Sequence, residues 1–167
     1  MKKMPGNCFG VRHQKGVVLL VSLLFLLLLT LLGVSSMQNA TLQEKMAGSV
    51  TNRNVTFQGA ESALRQGEFR IISPGFQLAV CTPLANCAPP TDSLTVTEAG
   101  NGASGRPWEA ALGGGLYTVQ NIGTTATPIG KPPVCRTSST TFTLYRVTAV
   151  FIQGVSRTVL ESIYVNC

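Results

Sequence analysis

The sequence predicts an α+β fold, with one long N-terminal helix packed on a C-terminal antiparallel sheet. Three observations predict it. An unbroken apolar run opens the chain's ordered part, an amphipathic pattern continues from it without a helix stop, and the last third alternates like strands. The 167 residues suffice for one modest domain plus an anchor.

The apolar run comes first. From Val17 to Gln43 there is no ionisable side chain, and Val17 to Val34 is interrupted only by Ser22, Thr30 and Gly33. As a helix rising about 1.5 Å per residue, such a run crosses a hydrocarbon core of about 30 Å. The preceding residues 1–16 are short and basic, with Lys2, Lys3, Arg12 and Lys15. Basic residues before the run hold that end in the cytoplasm and send the rest outward. Three readings fit the run: a secretory signal cut after a small-residue site near Gly33-Val34-Ser35, a signal anchor, or a helix kept after a cut behind Gly16. Its length favours the last two.

Beyond the run, Leu42, Met46, Val50, Phe57, Ala60 and Leu64 recur at helical spacings among polar residues, although Arg53 interrupts the stripe. Gly48 and Gly59 weaken the helix without changing its period. The first firm stop is Ser73-Pro74-Gly75. The organisation expected is a leader at 1–16, a membrane half-helix at 17–36, an amphipathic half-helix at 37–70, an irregular segment at 71–113 and a sheet at 114–167. In that sheet, Leu116 to Ile122 is a strand. Thr140 to Gln153 sets Tyr145, Val147, Ala149 and Phe151 against Leu144, Arg146, Thr148 and Val150, and Val155 to Asn166 returns after a Gln153-Gly154 turn. Trp108, the sole tryptophan, is expected in the core.

Charge and chemistry exclude several functions. The net charge of +6 rests on 13 basic and seven acidic residues. Without the four in the leader, nine basic residues face seven acidic ones, a net charge of +2. They are scattered and lack an aromatic platform, which argues against nucleic-acid binding. His13, the one histidine, lies in the leader. After Gly16 the chain has no histidine and a single aspartate, Asp92, so no Ser-His or Cys-His pair can form. No catalytic residue, metal site or cofactor is expected. Glu44, Glu61, Glu68, Glu98, Glu109 and Glu161 show no paired-carboxylate spacing, and phosphate and dinucleotide loops are absent.

Cys8 is in the leader, whereas Cys81, Cys87, Cys135 and Cys167 all follow the apolar run. An even number on the outward side points to disulfides. Three pairings are open. The favoured one is Cys81–Cys87, closing a local loop, with Cys135–Cys167, tying down the chain end. The spacings are not the two-residue clasps of zinc sites.

Gln14-Lys15-Gly16 followed by Val17-Val18-Leu19-Leu20 resembles the leader junction of type IV prepilins. The segment Leu31 to Ala47 (LLGVSSMQNATLQEKMA), with Arg53-Asn54 and Ala60-Glu61-Ser62-Ala63-Leu64, resembles the N-terminal region of PilX-type minor pilins. The resemblance implies cleavage by a prepilin peptidase between Gly16 and Val17, N-methylation of Val17, and an inner-membrane anchor that later joins a pilus on the cell surface. It implies other minor pilins, the major pilin and a large tip adhesin as partners, with roles in priming pilus assembly, twitching motility and attachment. One departure stands out: most such proteins carry glutamate at the fifth mature position, where this chain has Val21. A minor pseudopilin of a type II secretion system shares leader, helix and sheet and is the alternative. A DNA-uptake subunit is a third reading, opposed by the scattered charge.

Overall fold

The computed structural model describes residues 16–130, 135 and 141–167. The chain divides into two compact units, Met1–Ala47 and Gly48–Cys167. Cys8, His13 and the rest of the leader before Gly16 lie outside the described residues.

Helix α1 spans Val17–Ile72. No proline interrupts it, and it ends where Pro74 disfavours helical backbone at Ser73. Ser73 N–H donates to Arg70 O and Ser73 Oγ donates to Phe69 O, satisfying two of the last carbonyls. Gly75 then takes φ +81°, a conformation glycine adopts without a Cβ penalty. In the first unit, residues 17–47 are helical and exposed along their whole length.

In the second unit, strands β1 (Gly100–Asn101), β2 (Pro107–Ala110), β3 (Leu116–Thr125), β4 (Phe142–Gln153) and β5 (Ser156–Asn166) form one sheet in sequential order. Every neighbour is antiparallel. The layout is α+β and pilin-like: one long N-terminal helix on an antiparallel sheet.

The buried stripe of α1 is not the one the large apolar residues suggest. Leu42, Met46, Val50 and Phe57 are exposed, while Thr56, Ala60, Ala63, Gly67 and Ile71 are buried. The stripe is built of small residues because the helix lies close on the sheet. A Cβ at Gly67 would sit 2.5 Å from Val147 Cγ1, and one at Gly59 would sit 2.4 Å from the Phe151 ring. Ala63 packs with Ala111, Tyr117 and Ala149, and Ile71 packs with Tyr145 and Val147. These are the β4 residues expected on one face.

The segment 71–113 is more ordered than its composition suggests. It contains β1 and β2 and two short 3-10 turns, Leu84–Cys87 and Thr91–Leu94. Besides β1, strand β2 pairs with only the start of β3, Leu116 and Tyr117. Further along the same edge, Val80 bridges Asn121 and Cys81 N–H donates to Asn121 O at 2.9 Å. The β3–β4 register shifts between Asn121 and Gly123, where Gly123 takes φ +117°.

Candidate assembly segment and its headpiece

Gly16 lies in the turn before α1, and the helix begins at Val17. The helix holds an 18-residue window of mean hydropathy 3.1 with none of it buried, long and apolar enough to cross a membrane by length and composition. The two hydroxyls in residues 17–34 are satisfied within the helix. Ser22 Oγ donates to Leu19 O and Thr30 Oγ1 donates to Leu27 O, both at 2.8 Å. No side-chain donor in 17–34 therefore needs a partner from lipid. The first turn carries no acid, and Val21 presents only carbon to its surroundings.

In the second unit, the segment from Cys81 to Val96 caps the sheet face opposite α1. The cap is held by side chains reaching out of the sheet to cap carbonyls. Gln120 Nε2 donates to Asn86 O at 3.0 Å and Ala88 O at 3.1 Å. Arg157 Nη1 donates to Ser93 O at 3.0 Å and Val96 O at 2.8 Å. Arg146 donates to Cys87 O and pairs with Glu161 at 2.9 Å, and Arg106 donates to Asn86 O. The cap carbonyls of Asn86, Cys87, Ala88, Ser93 and Val96 are thus satisfied by charged or amide donors.

Asp92 is the cap's buried acid, 4% exposed. Its Oδ2 accepts from Ser104 N–H (3.1 Å), Ser104 Oγ (2.6 Å) and Trp108 Nε1 (3.3 Å). Burial pushes its carboxyl up, but the bonds from Ser104 and Trp108 together outweigh burial and hold it below the usual carboxylate range. Trp108 is in the core, packed with Leu116 and Val150. Tyr117 is pushed up to about 12 by burial and by its bond to Glu109 Oε2.

The cysteines bond as Cys81–Cys87 and Cys135–Cys167, with Cα separations of 5.4 and 5.7 Å. The first closes the base of the cap. The second joins the end of β5 to a buried cluster with Phe142 and Val165. Among the described residues, no group of three His, Cys, Asp or Glu side chains is placed to hold a metal ion. A cavity of about 610 Å³ lies between the end of α1 and the β2–β3 turn, bordered by Arg65, Phe69, Arg70 and Leu112. Its cations are engaged: Arg65 pairs with Glu61, and Arg70 lies near Glu109 and the Phe76 ring.

Asp92, Gln120, Arg146 and Arg157 carry the cap, and sequence reasoning gave none of them that role. Two signals were available. Asp92 is the only aspartate after the leader, and Arg146 and Arg157 stand within strands of low charge.

An apolar, self-satisfied helix segment, and a later helix segment packed on an antiparallel sheet, make a pilin-like layout that fits a membrane-anchored pilus subunit. Residues 15–65 match the family model described as PilX N-terminal, which supports a PilX-type minor pilin of the type IV pilus. Pilins of that family are structural components that assemble with other pilus components. The match covers the apolar run and the helix down to Arg65 and leaves the sheet and its cap outside it. No curated protein and no solved structure matches the chain.

Proposed function

We propose that this chain is a minor pilin that primes pilus assembly from a tip complex. It is cut by the prepilin peptidase between Gly16 and Val17 and methylated on Val17. Before assembly it is a single-pass inner-membrane protein with its N-terminus in the cytoplasm. On extraction into the filament it packs with other minor pilins and the major pilin, below a large tip adhesin. Twitching motility and surface attachment depend on the pili so primed. The observation that carries this reading is a PilX N-terminal segment whose apolar start lacks an acid at Val21.

Chemistry supports the tip. An N-terminal ammonium at a helix start already opposes the positive end of the macrodipole. Buried in a bundle without a carboxylate, it is costly. A subunit used once tolerates this better than one repeated along a shaft. Apolar helices leaving lipid for a bundle gain little hydrophobic free energy, so close packing at Gly33, Ser35 and Ser36 has to hold them.

The test is the N-terminal mass of the mature protein from cells. N-methyl-Val17 is expected. A species starting after Ser35, or one retaining Met1, overturns the reading.

A further inference from the structure

Two threonines lie beneath the cap at the centre of the sheet. Thr118 on β3 stands directly opposite Thr148 on β4. Their face follows from their neighbours. Tyr117 and Ala149, one residue along, pack with Ala63 on the α1 side, so Thr118 and Thr148 turn to the cap. They are 1% and 2% exposed. Both hydroxyl oxygens are buried without a hydrogen-bond partner among the described residues. Gln120 Oε1 is a third such atom, 4% exposed as a residue and on the same face two positions along β3. Its amide is fixed in orientation, because Nε2 donates to Asn86 O and Ala88 O.

The cap above them is poor in donors. On one side of the threonine pair, Gln120 and Arg146 hold Asn86, Cys87 and Ala88. On the other, Val96 packs with Leu116 and Val150. Residues 89–95 join these two attachments. Pro89 and Pro90 have no N–H. The N–H groups of Ser93, Thr95 and Val96 are spent on Pro90 O and Asp92 O, and the Thr95 hydroxyl donates to Asp92 O. Buried polar atoms left unbonded are costly, and three in one patch point to a ligand. Directly opposed residues place their Cβ atoms about 4.5–5.5 Å apart, a span that one water bridges when bonded at about 2.8 Å to each hydroxyl. Gln120 is the diagonal neighbour of Thr148, within reach of a long side chain.

We propose that a water molecule is bound between cap and sheet, held by Thr118 Oγ1, Thr148 Oγ1 and Gln120 Oε1. The hydroxyls donate or accept, whereas the amide oxygen only accepts. That mixture suits a ligand that does both, and three partners is the usual number for a buried water. The amide oxygen opposes an anion. A cation finds no carboxylate among the three, and the Arg146 guanidinium stands on the same face two residues from Thr148. The join between cap and sheet is therefore hydrated at its centre and fastened at its ends by charged and amide donors. None of this depends on the pilus reading.

The test is urea unfolding of the full-length chain in detergent, followed by Trp108 fluorescence, for Thr118→Val, Thr148→Val and the double variant. Valine keeps the branched shape and removes only the hydroxyl's bonding. Each single variant is expected to lower the urea midpoint, because the water and the remaining groups lose a partner. The double variant is expected to lose less than the sum of the two, since the second change finds the site already broken. A raised or unchanged midpoint in both single variants overturns the proposal, because removing an unbonded buried hydroxyl does not destabilise. Strict additivity also overturns it, by assigning the hydroxyls to separate partners. A diffraction structure of the parental full-length chain is the second measurement. A density peak about 2.5–3.2 Å from all three oxygens is expected. A direct bond between the hydroxyls, or from either to a cap carbonyl, with no such peak overturns the site. Anomalous scattering at the peak in crystals grown with rubidium marks a cation and overturns the assignment to water. If the valine variants do not fold, the parental structure decides.

Discussion

At Gly67 an added methyl group would lie 2.5 Å from Val147 Cγ1 and 3.0 Å from Tyr117 Cδ2. At Gly48, in the same helix, it would meet nothing within 4 Å. Alanine gains about 1 kcal/mol of helix propensity over glycine at either site. At Gly67 that gain is opposed by overpacking of about 1–3 kcal/mol. Gly67→Ala is therefore expected to lower stability in urea unfolding of the full chain, and Gly48→Ala to leave it unchanged or raise it. Asp92 gives a second contrast. Its folded carboxyl titrates below the ordinary value of 3.8, so its stabilising effect is present above that value and is lost as pH falls through the folded pKa. Asp92→Asn keeps one acceptor but puts an amide nitrogen where buried Oδ1 has no protein partner among the described residues. A loss of about 1–3 kcal/mol is expected near neutral pH. The deficit relative to the parent should shrink below pH 4. Trp108 fluorescence follows both transitions, since its indole nitrogen bonds the same carboxylate.

Elements differ in how far local pattern decides them. The β4 faces are legible, because alternation over Tyr145, Val147, Ala149 and Phe151 assigns a side to each residue whatever lies opposite. The buried stripe of α1 is not legible in the same way. Counting apolar residues at helical spacing selects Leu42, Met46, Val50 and Phe57, which are exposed, along with Ala60, which is buried, and Leu64, which is half-buried; close approach to a sheet also selects residues lacking bulk, and Ala63 and Gly67 look unremarkable until the partner is known. The cap is least legible. Its order comes from donors distant in sequence, Arg157 lying 64 residues from Ser93 and Arg146 lying 59 from Cys87. This yields a prediction at the same scale. Arg157→Ala removes two bonds to cap carbonyls and leaves the β4–β5 ladder intact. Hydrogen exchange and proteolysis within 86–97 should then accelerate, while exchange of β3 and β4 stays near parental. At the other end of the sheet, Cys167→Ser opens a disulfide of sequence separation 32. A loss of about 2–4 kcal/mol in unfolding free energy is expected, accompanied by fraying of the last residues of β5.

At the scale of the whole molecule, the anchor and the headpiece are under different constraints. The headpiece is held by its own packing, cap bonds and disulfides. Residues 17–47 are exposed throughout, and in the proposed function they are matched by lipid first and by other helices afterwards. Their first turn contains no acid, and Val21 is the position where a carboxylate would face a neighbour's N-terminal amine in the proposed bundle. Breaking a buried ion pair by removing one partner costs about 3–5 kcal/mol. In the proposed pilus, that deficit repeated at every subunit of a shaft would exclude the chain, whereas at one terminal position it would be borne once. Val21→Glu is therefore expected to raise the number of these subunits per length of pilus severalfold, counted by quantitative mass spectrometry against the major pilin. Equal numbers for V21E and parent, with both variants cut at the same N-terminus, would show that the missing acid does not set the position of this subunit.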